Sequence, residues 1–345
     1  MPSKAFEVGD NFDALRFLFA TCVAVFHFVA LTGGPSLAFT AGWLSLGAEL
    51  SVAGFFVLSG YLVLGSFQRS KNLREYAEKR FRRLYPAYAA IILICAAGAL
   101  LVSAPSRNDL AAVAKYLGAN LLFLNFLAPT LPGVFEDNRL QAVNGALWTL
   151  KIEVAFYGLL PLIAIAAEKL RDAKWLLFGT LYIVAEIWRA TFHSAGGAFA
   201  VLAHQLPGQM SYFITGMALW EARKHFQPGR LTAALGLAVL TASLFLTPLE
   251  SSRAGALGIL VIALANAPRP RFKFERRADI SYGIYIVHFP IIQAIHAISG
   301  QIPIWIQACL SGMLIFGVAS LSWRFLERPL LYSGSHYKTR AAGAA

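Results

Sequence analysis

Ten residues separate Arg16 from His27 inside the first long apolar stretch of the chain. Ionisable side chains are costly in a bilayer core and mark a functional site by default. Eleven helical positions turn only about 20° past three full turns and rise about 16.5 Å, so the two side chains share one helix face. A guanidinium in that position suits an anion. Plainer readings also stand. Arg16 can snorkel to headgroups with Asp13 one turn earlier, and His27 can be a histidine that only hydrogen-bonds to another helix.

Three further groups have chemical potential. In YAEKRFRRLYPAY, residues 76–88, Arg80 and Arg83 stand three apart and can address one anion together. Arginine forks suit phosphate, and a multi-phosphate cytosolic ligand such as coenzyme A fits Arg16 with Arg80 and Arg83. The alternative is an orientation signal attracted to anionic lipid. In LWTLKIEVAFYGLLP, residues 147–161, Glu153 is a membrane carboxylate, the kind that faces a cavity. Trp148 and Tyr157 beside it also read as interface aromatics. In SYGIYIVHFP, residues 281–290, Ser281, Tyr285 and His288 form one helical stripe. It lines an active site or forms a hydrogen-bonding seam between helices. Ser59 with Gly60 reads mainly as close helix packing.

The elements that must position these residues are membrane helices. The chain is 57% hydrophobic and 14% charged, whereas a soluble domain carries about 25% charged residues. A net charge of +12 in a soluble protein would suggest nucleic acid; here the basic residues fall in short loops and set orientation. Candidate spans are 12–33, 43–66, 84–104, 146–166, 174–193, 198–220, 231–248, 253–268, 279–298 and 303–325. The apolar segment 116–128 is short and interrupted by Asn120 and Asn125, which predicts a re-entrant or interfacial element. With both termini cytoplasmic, the cytoplasmic segments hold 22 Lys and Arg and the outer ones 5. The expected fold is therefore all-α and polytopic, with about ten transmembrane helices. No internal repeat is evident, and no loop is long enough for a soluble domain. Residues 1–345 are expected to form one membrane-embedded domain, with a helical core at about 12–326 and a cytoplasmic tail at 327–345. The N-terminal residues lack a charged leader and a cleavage site, so the first span is expected to stay. Cys22, Cys95 and Cys309 all fall in apolar stretches, which argues against a disulfide framework.

Taken in order, these motifs resemble the acyltransferase-3 family of integral-membrane acyltransferases. Arg16 and His27 are similar to its first-helix motif, and SVAGFFVLSGYL (51–62) to its FFVLSG helix. Arg80 and Arg83 with Leu84-Tyr85-Pro86 resemble its basic loop, and WTLKIEVAFY (148–157) its Trp–Glu–Phe–Tyr segment. SYGIYIVHFP and Glu327-Arg328-Pro329 resemble its C-terminal landmarks. Two positions depart. Ala53 stands where the family often has an acid, with Glu49 one turn earlier, and the acidic pair of the third motif is reduced to Glu153-Val154.

The resemblance implies acetyl-CoA as acyl donor, bound from the cytoplasm by Arg16, Arg80 and Arg83, with no metal. It implies His27 as general base, or less favourably as an acyl carrier, and Glu153 as a group that orients the acceptor or tunes His27. The acceptor is expected to be a glycan or lipid-linked saccharide, such as lipopolysaccharide or exopolysaccharide, reached from a bacterial inner membrane. No nucleic acid is involved, and the bilayer is the other partner. A transporter or flippase of a lipid-linked or anionic solute is the alternative, although the two halves show no matching pair of broken helices.

Overall fold

The computed structural model describes residues 11–33, 38–102, 107–267, 279–299 and 302–333. Among the described residues all regular structure is helical. The first ten residues, the basic segment 269–277 and the tail from 334 onward lie outside them, and with them part of the charge count. The helices are α1 (Asn11–Thr32), α2 (Ala38–Gln68), α3 (Leu73–Val102), α4 (Arg107–Leu121), α5 (Trp148–Leu170), α6 (Lys174–Ala195) and α7 (Ala200–Ala203). They continue as α8 (Leu206–Ala222), α9 (Arg230–Ala242), α10 (Arg253–Ala265), α11 (Ser281–Ser299), α12 (Ile304–Ser322) and α13 (Arg328–Leu330).

Among the described residues seven helical runs are long and apolar enough to cross a membrane, and one of them, Gly145–Ala195, contains both α5 and α6. Eight of the ten expected spans coincide with these runs; those at 198–220 and 231–248 do not. The span at 198–220 is broken into α7 and α8 at His204–Gln205: Pro207, in the first turn of α8, has no N–H for the Ala203 carbonyl and its ring would clash with it in a continuous helix. The span at 231–248 is the 13-residue α9, about 20 Å long against a hydrocarbon core of about 30 Å. In the other direction, α3 begins eleven residues before the expected span. Its polar start is supported by the i, i+4 pairs Glu75–Lys79 (2.8 Å) and Glu78–Arg82 (2.7 Å). The basic loop is therefore helix.

The segment 116–128 is not one element. Helix α4 ends at Leu121 and Phe123 turns into the left-handed region at φ 62°. The two asparagines close this turn. Asn120 donates to the carbonyls of Tyr116 and Ala128, both at 2.9 Å, and accepts from Asn125 at 2.9 Å. The Tyr88 hydroxyl donates to the Asn120 carbonyl at 2.7 Å.

The chain forms two compact units, each assembled from three separate stretches. The first takes 1–19, 50–73 and 152–276; the second takes 20–49, 74–151 and 277–345. In the first, α2 and α8 meet backbone to backbone. A methyl group at Gly60 would overlap the Phe213 carbonyl, and one at Gly216 would overlap the Val57 carbonyl. Small residues at such crossings replace the hydrophobic drive that lipid removes. Phe156 joins this core by stacking on Phe213 at 4.3 Å. In the second unit, α11 packs on α12 with Gly283 against Ala319. There Phe289 occupies the space over Gly145, where a Cβ would come within 2.7 Å of its ring.

Candidate active-site residues

Helix α1 is unbroken, so Arg16 and His27 keep the shared face and the rise expected of them. Arg16 belongs to the first unit and His27 to the second. Arg16 is partly buried, 3.8 Å from Asp13.

His27 is paired with His288. Its Nδ1 lies 2.9 Å from Nε2 of His288, and the rings stack with centroids 5.0 Å apart. Phe289 meets the His27 ring edge-on at 5.2 Å. His288 is fully buried and its Nδ1 faces the Ile284 carbonyl at 3.1 Å. The stripe on α11 thus does not act as one lining. Tyr285 shares a hydrogen bond with Thr149 (2.6 Å), while Ser281 donates its hydroxyl to Asp279. Trp148, half-buried, opens α5 after a 3₁₀ turn whose backbone is capped by the Asn144 side chain.

In the first unit, Glu153 accepts hydrogen bonds from Ser59 (3.2 Å) and from Tyr157. Both hydroxyls go to Oε1, which among the described residues leaves the lone pairs of Oε2 for another donor. Ala53 is buried there, and Glu49, in the second unit, is exposed.

The two basic-motif arginines differ from what spacing alone suggests. Arg83 donates to Asp279 at 2.5 Å and stands 3.8 Å from Glu327, and both carboxylate side chains are 1% exposed. Its guanidinium also lies 5.7 Å from the Trp323 ring. Glu327 is brought there by a π-helical turn, Trp323–Glu327, and accepts from Ser322 at 2.9 Å. Arg80 is partly buried on the same helix. Sequence reasoning missed Asp279 altogether and read Glu327 only as a landmark. Neither carries a local signal, because only packing brings them to Arg83. It also missed Glu186, a buried carboxylate in α6 paired with Arg189.

A cavity of about 740 Å³ lies within the first unit, with an apolar floor including Leu64, Phe178 and Met217 and a charged rim including Lys71, Arg171 and Glu168. None of the expected site residues lines it. Among the described residues no group of three or more His, Cys, Asp or Glu is placed to hold a metal ion.

The acyltransferase domain family matches residues 10–324, nearly the whole chain. The protein belongs to this family, and it is a multi-pass membrane O-acyltransferase. It is similar to Nodulation protein 10 of Rhizobium leguminosarum bv. viciae, 25% identical over 370 residues, covering 96% of each chain. It is also similar to an O-acetyl transferase of Shigella phage Sf6, 24% identical over 345 residues, covering 95% of this chain and 97% of that one. A third relative, the O-acetyltransferase OatA of Staphylococcus aureus, is 26% identical over 350 residues, which span 85% of this chain and 54% of that longer one. No solved structure matches the chain.

Proposed function

We propose that this enzyme transfers an acetyl group from acetyl-CoA on the cytoplasmic side of a bacterial inner membrane to a hydroxyl of an extracytoplasmic or lipid-linked glycan. A surface polysaccharide, O-antigen or exopolysaccharide, is the acceptor class. One observation carries the reading: an imidazole on an apolar helix, His27, is held at 2.9 Å by a second imidazole in a chain of an acyltransferase family. Two of its relatives bear O-acetyltransferase names.

His27 acts as general base. It takes the proton of the acceptor hydroxyl while the oxygen attacks the thioester carbonyl; the C–S bond then breaks, and the proton passes to the departing thiolate. Arg16, Arg80 and Arg83 supply positive charge for the donor's phosphates. Arg83 also pairs with Asp279, which holds its guanidinium in place. The open Oε2 of Glu153 accepts a hydrogen bond from the acceptor, with Ser59 and Tyr157 fixing the carboxylate from its other oxygen. Trp148, Ser281, Tyr285 and His288 line or brace the region. Ten spans with both termini cytoplasmic, in one functional domain, complete the proposal.

The test is the purified protein with labelled acetyl-CoA, with and without candidate glycans. The expected result is label moving to the glycan in the native protein and not in His27→Ala. Intact thioester with every glycan class would overturn the reading. Mass spectrometry of surface glycans from cells with and without the protein names the acceptor.

A further inference from the structure

We propose that His288 is a positioning residue that fixes the tautomer of His27, keeping the hydrogen on Nδ1 and the lone pair on Nε2. The proposal rests on the reading of His27 as general base.

The hydrogen-bond chain has a direction. A carbonyl only accepts, so the contact of 3.1 Å to the Ile284 oxygen puts a hydrogen on Nδ1 of His288. His288 is 0% exposed, and its hydrogen-bond partners are backbone carbonyls and another imidazole. A buried imidazolium needs a carboxylate partner; this ring is therefore neutral and carries one N–H. Its Nε2 is then an acceptor, and Nδ1 of His27 at 2.9 Å must be the donor. That leaves Nε2 of His27 unprotonated, the form a general base needs. The Val23 carbonyl, one turn back on α1, is a second acceptor for the His27 ring; the lone pair of His288 at 2.9 Å is the acceptor that lies on Nδ1.

The seat of His288 is pinned on both sides in sequence. Asn144 donates to the Ile286 carbonyl at 2.8 Å, and Thr149 is bonded to Tyr285. Gln293 donates to the Leu140 and Ala142 carbonyls at 2.5 and 3.0 Å, and Asn138 donates to Gln293 at 2.8 Å. Each of these is a fully or partly buried bond between α11 and the stretch 138–149. Such a satisfied network holds a register rigidly. A helix-joining seam alone would be complete without the imidazole pair. The ring of His288 adds an acceptor aimed at the base.

Two measurements test this. Nitrogen NMR of the purified protein with isotope-labelled histidine, assigned by the signal lost in His27→Gln, should show the His27 hydrogen on Nδ1. In His288→Phe the share with the hydrogen on Nε2 should rise. Kinetically, His288→Phe should lower kcat about a hundredfold with KM for donor and acceptor unchanged, the scale of a misplaced general base. His288→Gln, whose amide oxygen can still accept, should stay within about fivefold, the scale of one hydrogen bond. A native spectrum with the hydrogen on Nε2 overturns the proposal, and so do equal kcat values for the Phe and Gln variants. Should the variants fail to fold, the native spectrum decides alone. Full activity of His27→Ala would overturn the base reading itself, and that result is separate from the tautomer the native spectrum reports.

Discussion

His27 takes its hydrogen-bond partner from 261 residues away along the chain, whereas Glu153 takes one partner, Tyr157, from the next turn of its own helix and a second, Ser59, from α2. The histidine seat in the second unit leaves little freedom. The buried ring of His288, itself held by a backbone carbonyl, and an edge-on phenylalanine fix the place of the ring. The carboxylate seat in the first unit is looser, because hydroxyl hydrogens rotate and one carboxylate oxygen stays available. The contrast separates two chemical demands. A base must present one defined lone pair, while a group that orients a sugar hydroxyl gains from an acceptor able to adjust.

The arginines repeat the contrast. Arg83 draws both carboxylates from the far end of the sequence and buries them, while Arg16 has Asp13 a turn away. A buried pair broken on one side leaves an uncompensated charge, whereas a partly exposed pair one turn apart contributes less.

If the histidine seat holds the reacting nitrogen and the carboxylate seat only orients, their variants should differ in size of effect. His27→Ala should reduce acetyl transfer about a thousandfold or more while the protein still inserts and purifies; labelled-acetate transfer in detergent reads this. Arg83→Ala should cost about 3–5 kcal/mol of stability, seen as a lower thermal midpoint. Arg16→Ala should leave the midpoint nearly unchanged and weaken donor binding instead. Equal midpoints for the two would remove the distinction between the arginines. Glu153→Gln should reduce transfer about tenfold to a hundredfold, chiefly through acceptor KM, as loss of a charged hydrogen bond of about 1.5–3 kcal/mol requires. A Glu153→Gln loss as large as that of His27→Ala would collapse the comparison and make the carboxylate part of the proton transfer. The smallest effect is expected for Tyr157→Phe, about fivefold, because Ser59 still holds Oε1.

The local features were legible in the sequence. Hydropathy and the positions of Arg16 and His27 place both on one face of one helix, and α1 is that helix. Gly60 and its neighbour Ser59 point to close packing, and Gly60 does touch the backbone of α8. Asn120 and Asn125 mark a segment that does not cross as one helix, and they are the residues that tie its turn. The ordered motifs suffice for the family, since each is a short run whose residue types survive without coordinates.

Partnership was decided elsewhere. No periodicity pairs His27 with His288, Arg83 with Asp279 and Glu327, or Ser59 with Glu153, since each joins helices far apart in the chain. The polar start of α3 is the opposite case: its i, i+4 ion pairs are local and extend a helix beyond what hydropathy marks. Sequence fixes which polar groups enter the membrane, because transfer from water is a property of each side chain. Tertiary structure alone decides which of them meet and where each proton sits, because a hydrogen bond needs its two atoms within about 3 Å, and only packing brings distant helices that close.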